Sequence, residues 1–389
     1  MSHILFAWEL GDHHGHLWRL LPIALALRER GHAVSFALRP MAAAQRYLAP
    51  RGLPFVPCPS AQGTAELGRD PSTYTDILAL NGAADADVLG GMLRGWRQLF
   101  KLMQPDLIVT DHAPTALMAS RVEQRCSVQV GTGFAIPPTL SPSPCFRPWD
   151  TEIEQQAQCQ ARVEQTVQTV CEMPLADALR ADHTRLLSLP ELDHYARLRP
   201  PGAMFLGGMP QPASGEIVAW QTREQHLFVY LQVGDYLPTV LDGLATSEAE
   251  VIAVIPGIAP EMAAEYPGLR IYTRPVQLGP LLVDCDLVIS HASHGTALNC
   301  LRAGVPMLML PQHMEQLLLT ERVALAGAGL GVYPTHIDSS FEQVLYTLLS
   351  ADHYRDAARV VAQRYAGWRD EFALQQMLAL LGSALNPAA

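Results

Sequence analysis

The sequence predicts an α/β protein of two doubly wound domains, and three observations predict it. The chain has 389 residues, more than one core usually supports, since domains typically run to about 100–200 residues. Hydrophobic residues make up 49% and charged residues 17%, against roughly 25% charged in an average soluble protein, which excludes a disordered chain. Short apolar runs alternate with stretches of helical period, and this alternation pauses near residue 210 and restarts.

The elements follow in order. His3–Trp8 is apolar and reads as a strand, Glu9–Gly15 as a polar loop, and Leu17–Arg30 as a helix that stops at Gly31. Ala33–Leu38 and Leu53–Pro57 read as the next two strands. An amphipathic helix over about Leu89–Met103 leads through Pro105 into the strand Leu107–Thr110, which leaves Asp111 at a carboxyl end. Pro137–Pro148 is rich in proline and serine and reads as a loop, and the glutamine-rich Asp150–Thr169 as a peripheral helix. Met204–Gly208 closes the first domain, and Pro210–Gly215 has linker composition. The domains expected are therefore 1–212 and 216–370, with 371–389 as a final helix.

In the second domain Leu227–Val233, Val251–Ile255, Leu269–Thr273, Leu287–Ser290 and Met307–Leu310 read as strands, and Phe341–Leu385 is helical by period. Two facing domains of this kind put a cleft between the carboxyl ends of both sheets, where such folds bind ligands.

Charge and cysteine usage exclude several classes. A net charge of −11 gives no footprint for nucleic acid or anionic lipid. The seven cysteines are scattered without a C-x-x-C pair, so neither a disulfide framework nor a structural zinc is expected, and a reducing cytoplasm fits. Glu9 and Asp12 interrupt any export signal, and nothing approaches the about 18 apolar residues of a membrane span.

The most informative segment runs from Arg274 to Gly331. A buried strand ends at Ser290-His291, a turn of small residues follows, and a helix starts near Gly295-Thr296. Free backbone N–H groups and the helix dipole favour an anion there, with His291 and the Thr296 hydroxyl as further donors, which outlines a diphosphate site.

This segment resembles the donor-binding half of GT-B nucleotide-sugar glycosyltransferases, the family that includes bacterial macrolide-type and plant natural-product enzymes. The matching residues are Arg274, Leu281-Leu282, Cys285-Asp286, Val288-Ile289, His291, Gly295-Thr296, Gly304-Val305-Pro306, Pro311 and Glu315-Gln316, closing in Gly327-Ala328-Gly329 or its neighbours. The resemblance implies that His291 holds the diphosphate of the donor, with Gly295 and Thr296 as further donors of hydrogen bonds, and that Ser293, His294 and Asn299 belong to the same donor site. It implies that Glu315 and Gln316 bind sugar hydroxyls, that the backbone at Val276 receives the nucleobase, and that Gly234 gives the donor room. Each also has a structural reading: the histidine can cap a helix, and Glu315-Gln316 can simply open one.

Two departures stand out. The family's two glycines after the histidine are Ala292 and Ser293, and the family's ribose-binding glutamate is Asn299. An amide lacks the charge-assisted strength of a carboxylate, which suits either a deoxythymidine-diphosphate donor or ribose bound elsewhere.

The first domain supplies a base. Inverting transfer needs a group to take the acceptor hydroxyl's proton, and histidine suits that task. In the family the base lies in a G-H-x-x-P pattern, and here Gly15-His16 keeps the family's spacing to Arg30-Gly31-His32, which selects His16 over His13 and His14. The family's proline is Arg19. Its partner aspartate follows P-D-L-V-V-x-D, which stands here as Pro105-Asp106-Leu107-Ile108-Val109-Thr110-Asp111, so Asp111 is expected to orient His16.

Two D-x-D strings, Asp85-Ala86-Asp87 and Asp284-Cys285-Asp286, are not expected to bind metal, and no resident cofactor is expected beyond the nucleotide-sugar co-substrate. The expected function is inverting transfer of a sugar to a hydrophobic small-molecule or lipid acceptor, with the apolar stretch Phe134–Trp149 forming its pocket. The alternatives are a nucleotide-sugar epimerase or hydrolase on the same fold, and a binding protein without catalysis.

Overall fold

The computed structural model describes residues 1–11, 15–61, 66–211, 215–221 and 225–386. Its chain forms two compact units. Unit 1 comprises Met1–Ser188, Tyr195–Pro210 and Asp370–Ala389, and unit 2 comprises Leu189–His194 and Gln211–Arg369. The second crossing, which gives the short turn Leu189–His194 to unit 2, has no compositional signal: Leu189 and Leu192 simply bury their side chains in the core of that unit.

Unit 1 is built on six parallel strands: β1 (His3–Trp8), β2 (Ala33–Leu38), β3 (Phe55–Pro57), β4 (Leu107–Thr110), β5 (Ser127–Gly131) and β6 (His183–Leu186). Their order across the sheet is β3-β2-β1-β4-β5-β6. Order reverses between β1 and β4, whose paired residues run from Ile4 opposite Leu107 to Ala7 opposite Thr110. Such a switch point leaves a crevice at the carboxyl ends of the two strands. The helix Gly15–Glu29 follows β1 and packs Leu17, Leu20, Leu21 and Ala24 on one face of the sheet. On the same face lie Met377, Leu378 and Leu381 of the last helix, Asp370–Leu385, so the end of the described chain completes the core begun by its first helix.

Unit 2 repeats the plan. Its strands are β7 (His226–Tyr230), β8 (Glu250–Val254), β9 (Arg270–Tyr272), β10 (Leu287–Ser290), β11 (Met307–Met309) and β12 (Gly329–Gly331), in the order β12-β11-β10-β7-β8-β9. The switch point here lies between β7 and β10. The strand expected to run to Val233 stops at Tyr230, which releases Gln232–Gly234 as a loop at the mouth of this crevice. The long helical stretch after residue 337 is three helices, Ile337–Ser350, Asp352–Arg364 and Asp370–Leu385, and the first two cover unit 2.

Candidate functional site

At the switch point of unit 1 the backbone sets up the site before any side chain does. After β1 the amides of Glu9 and Leu10 donate to the carbonyl of His112 at 3.3 and 3.0 Å, which ties this loop to the end of β4. The Glu9 carboxylate turns inward and accepts from the amides of Thr115 and Ala116. It thereby caps the helix Pro114–Val122, which has no capping side chain of its own. Burial pushes this carboxyl up to about 7. Glu9 was read only as part of a polar loop, because its partner helix begins more than a hundred residues away.

His16 sits in the first turn of the helix Gly15–Glu29 with its ring stacked on Trp8, the centroids 5.1 Å apart. Its Nδ1 lies 2.9 Å from Oδ1 of Asp111, a fully buried carboxylate at the end of β4. The two residues singled out from sequence register are thus brought into contact across the switch point. His13 and His14 lie outside the described residues. Gly11, at φ +89°, passes the other side of the ring, and a Cβ there would come within 2.6 Å of His16 Nε2. Any side chain at this position would both strain the turn and cover the nitrogen that faces away from Asp111.

Arg19, one turn along the helix, enters the same cluster. Its Nε donates to Asp111 Oδ2 at 3.0 Å and its Nη2 to Oδ1 at 3.3 Å, while Nη2 lies 2.8 Å from His16 Nδ1. Burial alone would push the Asp111 carboxyl up, but the Arg19 guanidinium and His16 outweigh it and hold the group well below the ordinary carboxylate range. Beside it His112 occupies the left-handed region at φ +49°, buried between the rings of His16, Tyr74 and Phe134. Burial first, then the charge of His16, pulls the His112 pKa down to about 3, so it is neutral at physiological pH.

Next to Tyr74 opens a cavity of about 460 Å³, lined among others by Pro137, Pro138, Leu140, Leu175 and Leu179. Its size lies in the range of small-molecule pockets, roughly 300–1,000 Å³. The proline-rich stretch after Phe134, expected to shape an acceptor pocket, forms one wall.

The switch point of unit 2 gathers the second set. His291 follows β10, and its Nδ1 lies 2.9 Å from the carbonyl of Leu310. A carbonyl only accepts, so Nδ1 carries the hydrogen and Nε2 accepts from the amide of Gln232 at 3.0 Å. The Tyr236 hydroxyl lies 2.9 Å from the same Nε2 and donates to the Gln232 carbonyl. His291 therefore ties the ends of β7 and β11 together with both nitrogens engaged. The room beside Gly234 is filled likewise: a Cβ there would come within 2.5 Å of the Tyr236 ring. Tyr236 was not singled out from sequence, although Gly234-Asp235-Tyr236 is the signal that a ring folds back over a glycine.

The anion-binding features reside instead in the helix His294–Ala303. Its N-cap Ser293 donates its hydroxyl to Thr296 Oγ1 at 2.8 Å and accepts no bond from the helix, which leaves the first-turn amides without a side-chain cap. Gly295 is exposed with nothing within 4 Å of a Cβ position, and Asn299 is exposed one turn further. Ala292, where the family has glycine, is buried at φ +58°. A side chain in that region costs about 1–2 kcal/mol. Ala292→Gly is therefore expected to raise stability by up to about 1 kcal/mol after the added freedom of the unfolded chain is counted, measurable by urea unfolding. An unchanged or lower midpoint would show that the turn is unstrained.

Glu315 and Gln316 open the helix Met314–Leu325 after β11. Gln316 is buried and its Oε1 accepts from the amide of Gln312 at 2.7 Å, while Glu315 is half-buried. Around Val276 the carbonyl of Pro275 and the amide of Gln277 both pair with Glu216, so by strand alternation the Val276 amide and carbonyl face the opposite edge. Both D-x-D strings have structural partners: Asp85 caps the helix Ala86–Met103, and Asp286 accepts from the His226 amide and pairs with Arg355. Among the described residues no group of three or more His, Cys, Asp or Glu is placed to hold a metal ion, and no helix is long and apolar enough to cross a membrane.

Two parallel six-stranded sheets of identical order, each with a polar cluster at its switch point, define the GT-B architecture. Among solved structures the chain is similar to the spinosyn rhamnosyltransferase SpnG complexed with spinosyn aglycone, at 19% identity and TM-score 0.70 over 97% of this chain and 100% of that one. It is similar to the calicheamicin glycosyltransferase CalG4 at 19% identity and TM-score 0.72 over 100% and 99%, and to the glycosyltransferase VinC in complex with DTDP at 18% identity and TM-score 0.63 over 98% and 99%. Residues 238–368 match the family model of the erythromycin biosynthesis protein CIII-like C-terminal domain. No curated protein matches the chain by sequence.

Proposed function

We propose that this protein is an inverting glycosyltransferase that moves a sugar from a nucleoside-diphosphate donor to a hydroxyl of a hydrophobic natural-product acceptor. The observation that carries the reading is the buried His16–Asp111 contact at the first switch point, from which the rings of His112 and Tyr74 lead to a cavity of about 460 Å³. In this reading the acceptor occupies that side of the unit and presents its hydroxyl to Nε2 of His16, which a side chain at Gly11 would cover. The acceptor oxygen bonds to the anomeric carbon as the bond from that carbon to the diphosphate breaks. His16 takes the proton, Asp111 stabilises the imidazolium, and the diphosphate leaves with the electron pair; within unit 2 the uncapped first turn of the helix His294–Ala303 is the part suited to hold a diphosphate. Glu315 and Gln316 would hold the sugar hydroxyls and the Val276 backbone the base. With both His291 nitrogens engaged, His291 acts on the donor by fixing the loop Gln232–Gly234.

For the donor we favour a thymidine diphosphate sugar. Asn299 asks less of the ribose than a glutamate would, and SpnG and VinC are described with thymidine diphosphate and DTDP. The engaged His291 favours one second reading, a binding protein without transfer. Thermal unfolding with thymidine and uridine diphosphates, followed by donor turnover with a panel of polyketide aglycones, separates them. Thymidine diphosphate at a hundred times its Kd is expected to add about 2.7 kcal/mol of stability, with nucleotide released only when an aglycone is present. A shift without turnover on any aglycone would support the second reading, and no shift with either nucleotide would overturn both.

A further inference from the structure

We propose that Arg19 decides which nitrogen of His16 carries the proton, and so whether the pair can act as a base; this rests on reading His16 as the base. Arg19 lies three residues after His16 on one helix, where side chains meet. Three polar atoms then form a closed triangle: Arg19 Nη2 is 2.8 Å from His16 Nδ1 and 3.3 Å from Asp111 Oδ1, and Nδ1 is 2.9 Å from Oδ1. The guanidinium is always charged and only donates, whereas a ring nitrogen either donates or accepts.

Two states follow. If Nδ1 carries the hydrogen, it donates to Asp111, and Nη2 faces it donor against donor at 2.8 Å. If Nδ1 is bare, it accepts from Nη2, and the guanidinium lies between the nitrogen lone pair and the carboxylate and is attracted to both. The hydrogen is then on Nε2, which has no lone pair left to take a proton from an acceptor. Asp111 favours the first state and Arg19 the second. Because Arg19 also holds Oδ2 through its Nε at 3.0 Å, it can keep Asp111 paired in either state and need only swing Nη2 away from Nδ1 to release the base. The exchange loses one proton from Nε2 to water and gains one at Nδ1, so no net proton is taken up.

The consequence is selectivity against water. A base held in the Nε2–H form does not activate a stray water against the sugar donor, and the pair becomes competent only when Nη2 withdraws. The Arg19 side chain is 14% exposed, enough for that movement, whereas Asp111 is fully buried and fixed. Among the described residues the other charged or titratable groups near the ring are His112 at the end of β4, Tyr74 packed on it, Arg39 beyond β2 and Glu9 beyond β1, whose carboxyl is directed to the helix Pro114–Val122. His112 is neutral, so among these residues Arg19 and Asp111 are the charges that face Nδ1 directly.

The test is nitrogen-15 NMR of histidine-labelled protein without substrates, with His16 assigned by its loss in His16→Asn. In the wild type the neutral ring is expected in the Nε2–H form. Arg19→Met is expected to switch it to the Nδ1–H form, since the donor that faces Nδ1 is gone. Arg19→Lys keeps the charge but cannot span Asp111 and Nδ1 together, and is expected to switch the tautomer as well. This variant answers the question if Arg19→Met does not fold. Hydrolysis of donor without acceptor is expected to rise about tenfold in both. A wild-type His16 already in the Nδ1–H form, or variants with an unchanged tautomer, would overturn the proposal. The spectroscopic result needs neither donor nor acceptor, so a switched tautomer in a protein that transfers no sugar would sink the proposed function and leave the role of Arg19 standing.

Discussion

His16→Asn is expected to lower turnover of donor with aglycone by about 10²–10⁴-fold, the range that a positioned general base supplies. Asparagine can still donate to Asp111 but has no basic nitrogen for the acceptor proton. Arg19 keeps Asp111 paired, so the fold should survive the change. The loss should fall on kcat rather than on KM, because the proton moves only in the transition state. Binding of thymidine diphosphate should be untouched, since the residues proposed to hold the donor belong to the other unit. A variant that retains a tenth or more of the wild-type kcat would place the base elsewhere.

Asp111→Asn should cost both catalysis and stability. The carboxylate is fully buried and holds Arg19 and His16 together, and removing one member of a buried pair typically costs about 3–5 kcal/mol. The Arg19 side chain keeps 14% exposure and can recover some hydration, so the lower end, about 3 kcal/mol at pH 7, is expected. The pH dependence gives the effect a signature. Arg19 and His16 hold the folded carboxyl below its ordinary value, so its stabilisation is fully present above about pH 4. It is lost progressively below that, where the unfolded chain takes up a proton that the folded carboxyl refuses. Urea unfolding of wild type and variant should therefore show a gap that narrows as pH falls below about 4. A gap independent of pH would assign the loss to packing and not to charge.

β1, β4, β8 and β10 are apolar runs in central or near-central positions and were legible, as were the edge strands β3 and β9. β6 reads His-Thr-Arg-Leu and β12 Gly-Leu-Gly, edge strands too short and too polar or glycine-rich to carry a period, and neither was anticipated. The inner strand β5, Ser-Val-Gln-Val-Gly, was missed too, because Ser127, Gln129 and Gly131 interrupt its apolar run although all five residues are buried. In the site, His16 and Asp111 were singled out through the resembling family's patterns, and the pairing of β1 with β4 explains why folding brings them into contact. What Arg19, Tyr236, Glu9 and His112 do was not legible, since each role depends on an atom brought close by folding. Arg19 showed only as a missing proline, and Ala292 only as a missing glycine. In both cases the departure marked the position that needed inspection without saying what occupied it.

The last helix, Asp370–Leu385, contributes Met377, Leu378 and Leu381 to the core of unit 1, while unit 2 ends at Arg369. During synthesis the second unit has therefore left the ribosome in full before the first can close. The face of β1 and of the helix Gly15–Glu29 that awaits these three side chains stays unfilled by them for the time needed to make some 160 intervening residues. The unit that starts first thus waits for a helix made after the second unit.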